Sequence, residues 1–401
     1  MIPNENAPFR MTLAVVGHAA HWIGPDGKPW AYEPYVREAR LWADLFESLE
    51  ICSPQGEGPL RANLAPYERS NINWTPVPYT LSYGGRAAAR RLQQLPGVIF
   101  AALRAIRGSG FVHLRSPGHF GLIGAVLVRL LRRPSLTKWA GENGSYPGER
   151  LPSRLERLFQ GIPSDRHPVL VYGPAKRPHQ ISFLPALMSG AELEAARELA
   201  ALRRWEPPWR ILAVGRLEPV KNMHLVLEGL AELRRRRADL PWLFTLVGDG
   251  SARQDLEARA AAAGLADRVR FTGSLPFREV QRHYAAAHVA IMPGTKEGWP
   301  KIIAEAWAHG AVPIAASAGL VPWLLREEGS GRAVPPTAGG LATALEALLA
   351  DPAALEALSR GLYRFAEGLS LEQFRVRLRD VLVSRCGLRA EDRPDGKATS
   401  A

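Results

Sequence analysis

The sequence predicts an α/β protein built from two doubly wound Rossmann-like domains that face each other across a cleft. The chain has 401 residues, too long for one ordinary core and suited to two domains. Short apolar runs alternate with helical segments of about 10–15 residues, the pattern of parallel βαβ units. Both halves show the alternation, the second more clearly. Doubly wound sheets bind ligands at the carboxyl ends of their strands, so the chemistry belongs to the loops that follow the strands.

Taken in order, residues 11–17 (MTLAVVG) form a short apolar run ending in Gly17, read as a buried first strand and its turn. Residues 35–49 carry apolar side chains at helical spacing. Residues 86–94 and 98–106 read as two helical pieces, separated by Pro96-Gly97. Residues 110–114 read as a strand, 120–131 as the helix after it, and 135–140 as another strand. The segment 141–177 is rich in Pro, Gly and charge and yields no element.

The pattern sharpens from Arg210. Residues 211–214 read as a strand and 221–236 as a helix. Residues 242–247 are a strand, and 252–263 a helix stopped by Gly264. Residues 269–271, 289–292 and 312–316 are strands; 277–287 and 300–308 are helices. Residues 339–350 and 352–366 read as further helices. The domain junction falls near residues 186–209. The first domain takes residues 1–188, the second 205–370, and a polar tail 387–401.

Composition narrows the class. Hydrophobic residues make up 46% and charged residues 22%, which excludes a disordered chain, a collagen and a small disulfide scaffold. Cys52 and Cys386 are too far apart in sequence for a zinc site or a disulfide framework, so a reducing compartment is expected. The polar N-terminus lacks a basic region leading into an apolar run, so no signal peptide is expected. The longest apolar stretch, residues 120–131, contains Arg129 and falls short of the roughly 20 residues a bilayer crossing needs. The formal charge is +12. Residues 1–188 hold 22 basic against 13 acidic side chains, and residues 189–401 hold 29 against 26. The basic excess therefore sits mainly in the first half. It points to an anionic partner, or it reflects an Arg-rich composition of 44 Arg and 7 Lys with no partner.

Two loops of the second half carry chemistry. Gly215-Arg216-Leu217-Glu218-Pro219-Val220-Lys221-Asn222 follows a strand and opens a helix. Free N–H groups at the helix N-terminus, with Arg216 and Lys221, make a diphosphate clamp: a forked guanidinium plus a point-charge ammonium. The plainer reading is a βα turn with two surface cations. The second loop is Glu297-Gly298-Trp299-Pro300-Lys301-Ile302-Ile303-Ala304-Glu305. A loop carboxylate, Glu297, accepts hydrogen bonds from sugar hydroxyls. Glu305, on the following helix, suits a vicinal diol such as ribose. Gly298 permits close backbone approach and Pro300 suits a first helical turn. The plainer reading is two solvated glutamates near a turn.

These stretches, "ILAVGRLEPVKN", "FTLVGDG", "VRFTGSL" and "AHVAIMPGTKEGWPKIIAEAWAHGAVPIAAS" followed by "LVP", resemble retaining GT-B glycosyltransferases of the family 4 type (glycosyl transferases group 1). Glu297 and Glu305 match that family's Glu-x7-Glu signature. Order and spacing agree over about residues 210–325, and only fold-level agreement extends over residues 1–188. The resemblance implies that Arg216 and Lys221 hold the donor diphosphate, that Glu297 binds donor-sugar hydroxyls and that Glu305 binds ribose. It implies that Gly298, Trp299, Pro300 and Lys301 line sugar and phosphate. Gly215 makes the tight turn, and Gly248, Gly250, Ser274 and Leu275 border the base. It also implies that residues 371–386 form a last helix crossing back to the first domain. The sequence has no Asp-x-Asp, so metal binding through that motif is not available. No metal or cofactor is expected, and fixed cations with the helix dipole are left to neutralise the leaving group.

In the first half, His113-Leu114-Arg115-Ser116-Pro117-Gly118-His119 follows a strand. Relatives often carry a second histidine where this chain has Arg115, with His119 four residues on. Arg115 and His119 are candidates for donor sugar or phosphate; a capping loop without substrate contact is the plainer reading. His18 and His21, after Gly17, are candidates for acceptor contact, with a hydrogen-bonded structural histidine the plainer role. Lys138, Trp139 and Glu142 lie near the next strand end without an assignment. Arg86, Arg90, Arg91, Arg104 and Arg107 line a segment whose apolar side is Leu95, Val98, Ile99, Phe100, Leu103 and Ile106. Such a segment suits an anionic membrane surface or packs as a surface helix on its own domain.

The expected function is a retaining, metal-independent glycosyltransferase using a nucleotide sugar. The expected acceptor is a glycan or lipid-linked glycan of bacterial cell-surface polysaccharide synthesis. The expected location is the cytoplasm, with the cytoplasmic face of the inner membrane as a candidate site. Alternatives are a small natural-product acceptor and a GT-B-like nucleotide-sugar-binding protein without transferase activity. A sugar phosphorylase or an epimerase would use the same clamp. A pyridoxal enzyme needs a Schiff-base lysine, and Lys is scarce. A Rossmann dehydrogenase needs Gly-x-Gly-x-x-Gly after the first strand, and "GHAAHWIG" lacks that spacing. Nucleic acid is not an expected partner, because no basic and aromatic residues interleave.

Overall fold

The computed structural model describes residues 7–60, 63–80, 85–141, 144 and 151–389, with residues 85–88 and 152 described by their backbone alone. The chain forms two compact units. One runs to Leu184 and resumes at Arg375; the other is Pro185–Phe374.

The first unit contains β1 (Phe9–Val16), β2 (His21–Ile23), β3 (Pro29–Tyr32), α1 (Glu33–Leu45), β4 (Phe46–Pro54), β5 (Leu64–Pro66) and β6 (Ile72–Val77). It continues through α2 (Gly85–Arg107), β7 (Phe111–Ser116), α3 (His119–Leu130), β8 (Ser135–Trp139), α4 (Leu151–Gln160), β9 (Val169–Val171) and β10 (Gln180–Ser182). Seven strands pair in the order β10-β9-β8-β7-β1-β4-β6, all parallel. β1, β7, β8 and β9 are largely buried, as strands covered on both faces are, while the edge strands β6 and β10 are half-exposed. Winding reverses between β1 and β7, where Val16 pairs with Leu114. β2, β3 and β5 form a small antiparallel sheet, with β2 and β3 joined through the Gly-Pro-Asp-Gly turn.

Two expectations for this unit change. The helix expected over 35–49 ends at Leu45, and the chain enters β4 at Phe46. Leu45, Phe46 and Leu49 fit helical spacing, but β4 is the parallel partner of β1 over Phe9↔Phe46 to Val16↔Cys52, and sheet pairing prevails over the local pattern. The two pieces expected around Pro96 are one helix. Pro96 faces solvent, while Val98, Ala102, Ala105 and Ile106 are held in the core, so tertiary packing carries the helix through the lost hydrogen bond. The segment 141–177 contains α4 and β9.

The second unit contains α5 (Gly190–Ala201), β11 (Trp209–Val214), α6 (Met223–Arg236), β12 (Trp242–Val247), α7 (Arg253–Ala262), β13 (Val269–Gly273) and α8 (Phe277–Ala286). β14 (Val289–Met292), α9 (Lys301–Ala308), β15 (Val312–Ala316), α10 (Val321–Leu324), β16 (Arg332–Val334), α11 (Ala338–Leu349), α12 (Pro352–Gly361), α13 (Tyr363–Glu367) and α14 (Leu371–Ser384) follow. The parallel sheet runs β13-β12-β11-β14-β15-β16, the doubly wound order with its reversal between β11 and β14. The helix expected from Lys221 begins at Met223, because Asn222 adopts the left-handed conformation, which asparagine tolerates. The helix expected over 352–366 divides at Leu362.

The supposed junction at 186–209 holds α5, which starts with a capping box: Ser189 accepts from the Glu192 N–H, and Glu192 accepts from the Ser189 N–H. α14 starts in the second unit, where Glu372 accepts the Gly190 N–H. Its later part belongs to the first unit, where Arg379 donates to the Ala7 carbonyl and lies over the Phe9 ring. Leu388 is buried, and residues 390–401 of the expected tail lie outside the described residues. Among the described residues no helix is long and apolar enough to cross a membrane.

Candidate active site

The second unit concentrates its sequence-predicted residues at the reversal of its sheet. β11 pairs with β14 through Ile211↔Val289 and Leu212↔Ala290, so the loops leaving Val214 and Met292 rise side by side. The first loop carries Lys221 and the second Glu297. Their side chains meet: Lys221 Nζ donates to Glu297 Oε1 at 2.5 Å, and each keeps 21% of its surface exposed. A cation and a carboxylate 76 residues apart thus form one polar center. Arg216, on the same loop as Lys221, is exposed and without an ion pair among the described residues. Buried Leu217 anchors the same loop, its N–H donating to the Asp249 carbonyl and its own carbonyl accepting from Ala252.

Glycines set the floor. The Gly215 N–H donates to the Val247 carbonyl, and the Gly248 N–H to the Gly273 carbonyl. Gly248 has φ 141°, and a Cβ there would lie 1.8 Å from the Gly215 carbonyl oxygen. A Cβ on Gly250 would lie 2.5 Å from the Leu217 carbonyl oxygen. Both glycines therefore brace the β11 and β12 loops against each other. Ser274 is exposed past the end of β13, while Leu275 packs partly onto the core. Pro300 is buried and caps α9; Gly298 and Trp299 are half-buried, and Lys301 is exposed at the first helical position.

Glu305 points from α9 toward the buried Tyr284 hydroxyl, without a well-formed hydrogen bond between them. Burial raises the Glu305 carboxyl above the usual carboxylate range, against the opposing pull of Tyr284 and Lys301. His309 stacks on Tyr284 and bonds the Glu305 carbonyl through Nδ1. Beneath them, Arg203 donates to the carbonyls of Tyr284, Ala285, His309 and Gly310, tying down the ends of α8 and α9. Sequence reading missed Arg203 because a guanidinium serving backbone carbonyls leaves no motif.

The first unit builds a different constellation at its own reversal. Gly17 ends β1, its N–H donating to the Cys52 carbonyl. Arg115, from β7, donates to Glu38 Oε1 at 2.8 Å and lies over the Tyr35 ring at 4.5 Å. Lys138, from β8, donates to Glu38 Oε2 at 2.5 Å. Glu38 is buried and holds both cations; Arg115, followed by Lys138, keeps its carboxyl ionised well below the usual range despite burial. Arg115, expected at substrate, is thus engaged with Glu38. Trp139 is buried beside Lys138, and Glu142 lies outside the described residues.

His21 is fully buried: Nδ1 meets the Ala19 carbonyl and Ser53 Oγ, and Nε2 meets the Tyr67 hydroxyl. Burial lowers its pKa to about 4, which marks a structural histidine. His18 and His119 are exposed.

Glu156, from α4, is an addition. It is fully buried, and its Oε2 accepts the Gly118 N–H at 2.6 Å, at the start of α3. A Cβ on Gly121 would lie 2.3 Å from its Oε1, so only glycine admits the carboxyl. Burial pushes Glu156 up to about 7, against the pull of Ser116 and the Gly118 N–H. It lies in the stretch where no element was legible. Among the described residues no group of three or more His, Cys, Asp or Glu converges on a common point.

Residues 208–351 match the family model of glycosyl transferases group 1. This stretch is a glycosyl transferases group 1 domain. The group 1 domain contains every residue of the Lys221–Glu297 center. The alpha-D-kanosaminyltransferase of Streptomyces kanamyceticus is 32% identical over 182 residues, 45% of this chain and 47% of that protein. The chain thus spans about half the length of this relative. A D-inositol 3-phosphate glycosyltransferase of Segniliparus rotundus is 29% identical over 399 residues, 90% of this chain and 86% of that protein. Among solved structures, Anabaena HepE in complex with UDP-glucose superposes with a TM-score of 0.67 at 16% identity, covering 94% of this chain and 100% of that one. With its two parallel sheets, the group 1 domain and the unit before it have the GT-B fold.

Proposed function

We propose that the protein is a retaining, metal-independent glycosyltransferase that moves a sugar from a nucleoside-diphosphate sugar to an acceptor. The observation that carries this is the Lys221–Glu297 contact at the reversal point of the group 1 domain, with Arg216 exposed on the loop that carries Lys221. A leaving diphosphate gains charge in the transition state, and fixed cations stabilise that charge without reorganising. On donor binding, Lys221 turns from Glu297 to phosphate and Arg216 adds its fork. Glu297, released from Lys221, accepts hydrogen bonds from the sugar hydroxyls. Glu305 serves the ribose, and Gly248, Gly250, Ser274 and Leu275 border the base. The acceptor attacks from the face the diphosphate leaves, and a departing phosphate oxygen takes its proton, so configuration is retained.

The proposed acceptor is a glycan or lipid-linked glycan of bacterial cell-surface polysaccharide synthesis, which would place the enzyme at the cytoplasmic face of the inner membrane. A second reading, a small polar natural-product acceptor, is favoured by the relatives named for kanosaminyl transfer and for D-inositol 3-phosphate. The test is a thermal-shift panel of UDP, GDP, ADP and dTDP sugars. One base class should raise the melting temperature, and Glu297→Ala should reduce the shift for the intact sugar nucleotide more than for the bare nucleotide. No shift with any of them would overturn the reading.

A further inference from the structure

α4 is turned inside out. A helix packed on a sheet buries its apolar stripe and exposes its polar side. Here the buried side carries Glu156 and Gln160, while Leu151, Leu155 and Leu158, with Ile162 just beyond, are 49–66% exposed. Their spacing of four, three and four residues places them along one face. Phe159 alone turns inward, onto the core shared with α2 and α3.

The neighbouring surface is basic. From residue 70 to residue 141 the sequence has ten Lys and Arg and no Asp or Glu, and all but Arg115 and Lys138, which pair with Glu38, are left to the rest of the unit. The ends of α2 and α3 and the turn before β9 meet at one corner: Arg133 donates to the Arg107 carbonyl, and Arg166 donates to the Arg132 carbonyl. Leu130, 74% exposed, sits at the same corner. Arg104, Arg107 and Arg132 are exposed around it.

We propose that this face, the leucine stripe of α4 with the arginine-rich ends of α2 and α3, docks on an anionic phospholipid bilayer. Leucines that enter the acyl boundary below arginines that meet phosphate head groups are the composition such a surface selects. At this corner the exposed arginines Arg104, Arg107, Arg132 and Arg166 outnumber the exposed Asp165, which matches a negatively charged partner. The sequence pattern offered α2 either as a lipid-facing helix or as a surface helix packed on its own domain. The structure sends Val98, Ala102, Ala105 and Ile106 of α2 into the core and leaves Leu92 and Phe100 exposed, so most of the exposed apolar stripe is supplied by α4. This deepens the acceptor reading by naming a surface, and its test requires neither donor nor turnover.

The experiment is co-sedimentation of the full chain with vesicles of phosphatidylcholine containing roughly a third phosphatidylglycerol, against phosphatidylcholine alone. The wild type should sediment with the anionic vesicles at low salt and be released at high salt. Leu155→Asp with Leu158→Asp should lower the partition coefficient about tenfold or more. Arg104→Glu with Arg107→Glu should abolish the preference for phosphatidylglycerol. Leu202→Asp, at a 78% exposed position of the second unit, should change nothing. Circular dichroism would verify that each variant is folded. Failure of the wild type to sediment with anionic vesicles at low salt overturns the proposal. So does unchanged binding by the folded leucine variant. A dimer seen by light scattering that the leucine variant dissolves, without vesicle binding, would assign the face to a second copy instead.

Discussion

Lys221 Nζ and Glu297 Oε1 lie 2.5 Å apart, across the seam between β11 and β14. The two residues assigned to opposite ends of a donor therefore neutralise each other before any donor arrives. Binding has to separate them, so their roles are coupled. Lys221→Ala and Glu297→Ala should each lower kcat/KM by about 100-fold or more. The double variant should lose more than the product of the single losses, because each single deletion spares the remaining group the cost of breaking the contact, and that relief can be gained only once. Steady-state kinetics on the four proteins of the cycle measures this. Additive losses would show that the contact has no part in turnover.

Turnover should persist in EDTA. In the proposed reading, Arg216 and Lys221 neutralise the leaving diphosphate, which is the work a divalent ion does elsewhere. Rates before and after chelation should agree within about twofold. Loss of turnover that a divalent ion restores would refute metal independence.

Gly248→Ala should abolish donor binding and destabilise the second unit. The added Cβ would fall 1.8 Å from the Gly215 carbonyl oxygen, so the two loops that frame the Lys221–Glu297 center must part. The measurement is the thermal shift with the nucleotide sugar that stabilises the wild type.

Stability should respond to pH in two opposed ways. His21, His288 and His309 are held neutral by burial, with pKa values lowered to about 4. The unfolded chain takes up protons below about 6.5 while the folded chain does not. Stability is therefore intact above that value and falls on acidification toward pH 4, by about 1.4 kcal/mol per pH unit for each histidine. Glu156, pushed up to about 7, behaves oppositely: its cost grows as pH rises from about 4.5 to 7 and then stays constant. Glu156→Gln should be nearly neutral near pH 4.5 and stabilising above pH 7, on the order of 2–3 kcal/mol. Urea unfolding of both proteins across that range reads out the difference.

Arg203→Met should cost about 3 kcal/mol or more, because the buried carbonyls at the ends of α8 and α9 lose a charged donor together. Chemical denaturation measures it. The thermal shift given by nucleotide sugars in the remaining folded protein should persist, since Arg203 lies beneath the site.

The second unit was the more legible half. Strands 242–247, 289–292 and 312–316 have the bounds read from their apolar runs, because parallel strands covered on both faces carry an unbroken signal. The Glu297 and Lys221 loops were legible because each follows such a strand. The first unit was less so. β4 hides inside a helical spacing, and α4 carries leucines that never pack on its own core.

By itself the sequence determined the two α/β domains, the basic first half, the loops that carry Arg216, Lys221 and Glu297, and the helix that carries Glu305. Local periodicity and strand-end position suffice for those. Only the tertiary structure decided that Lys221 and Glu297 touch, that Arg115 is held by Glu38, and that His21 is structural. It also decided that Gly248 braces a loop and that the leucines of α4 face outward. Contacts between residues tens of positions apart depend on strand order, and the sheet order 3-2-1-4 is set by packing the whole chain.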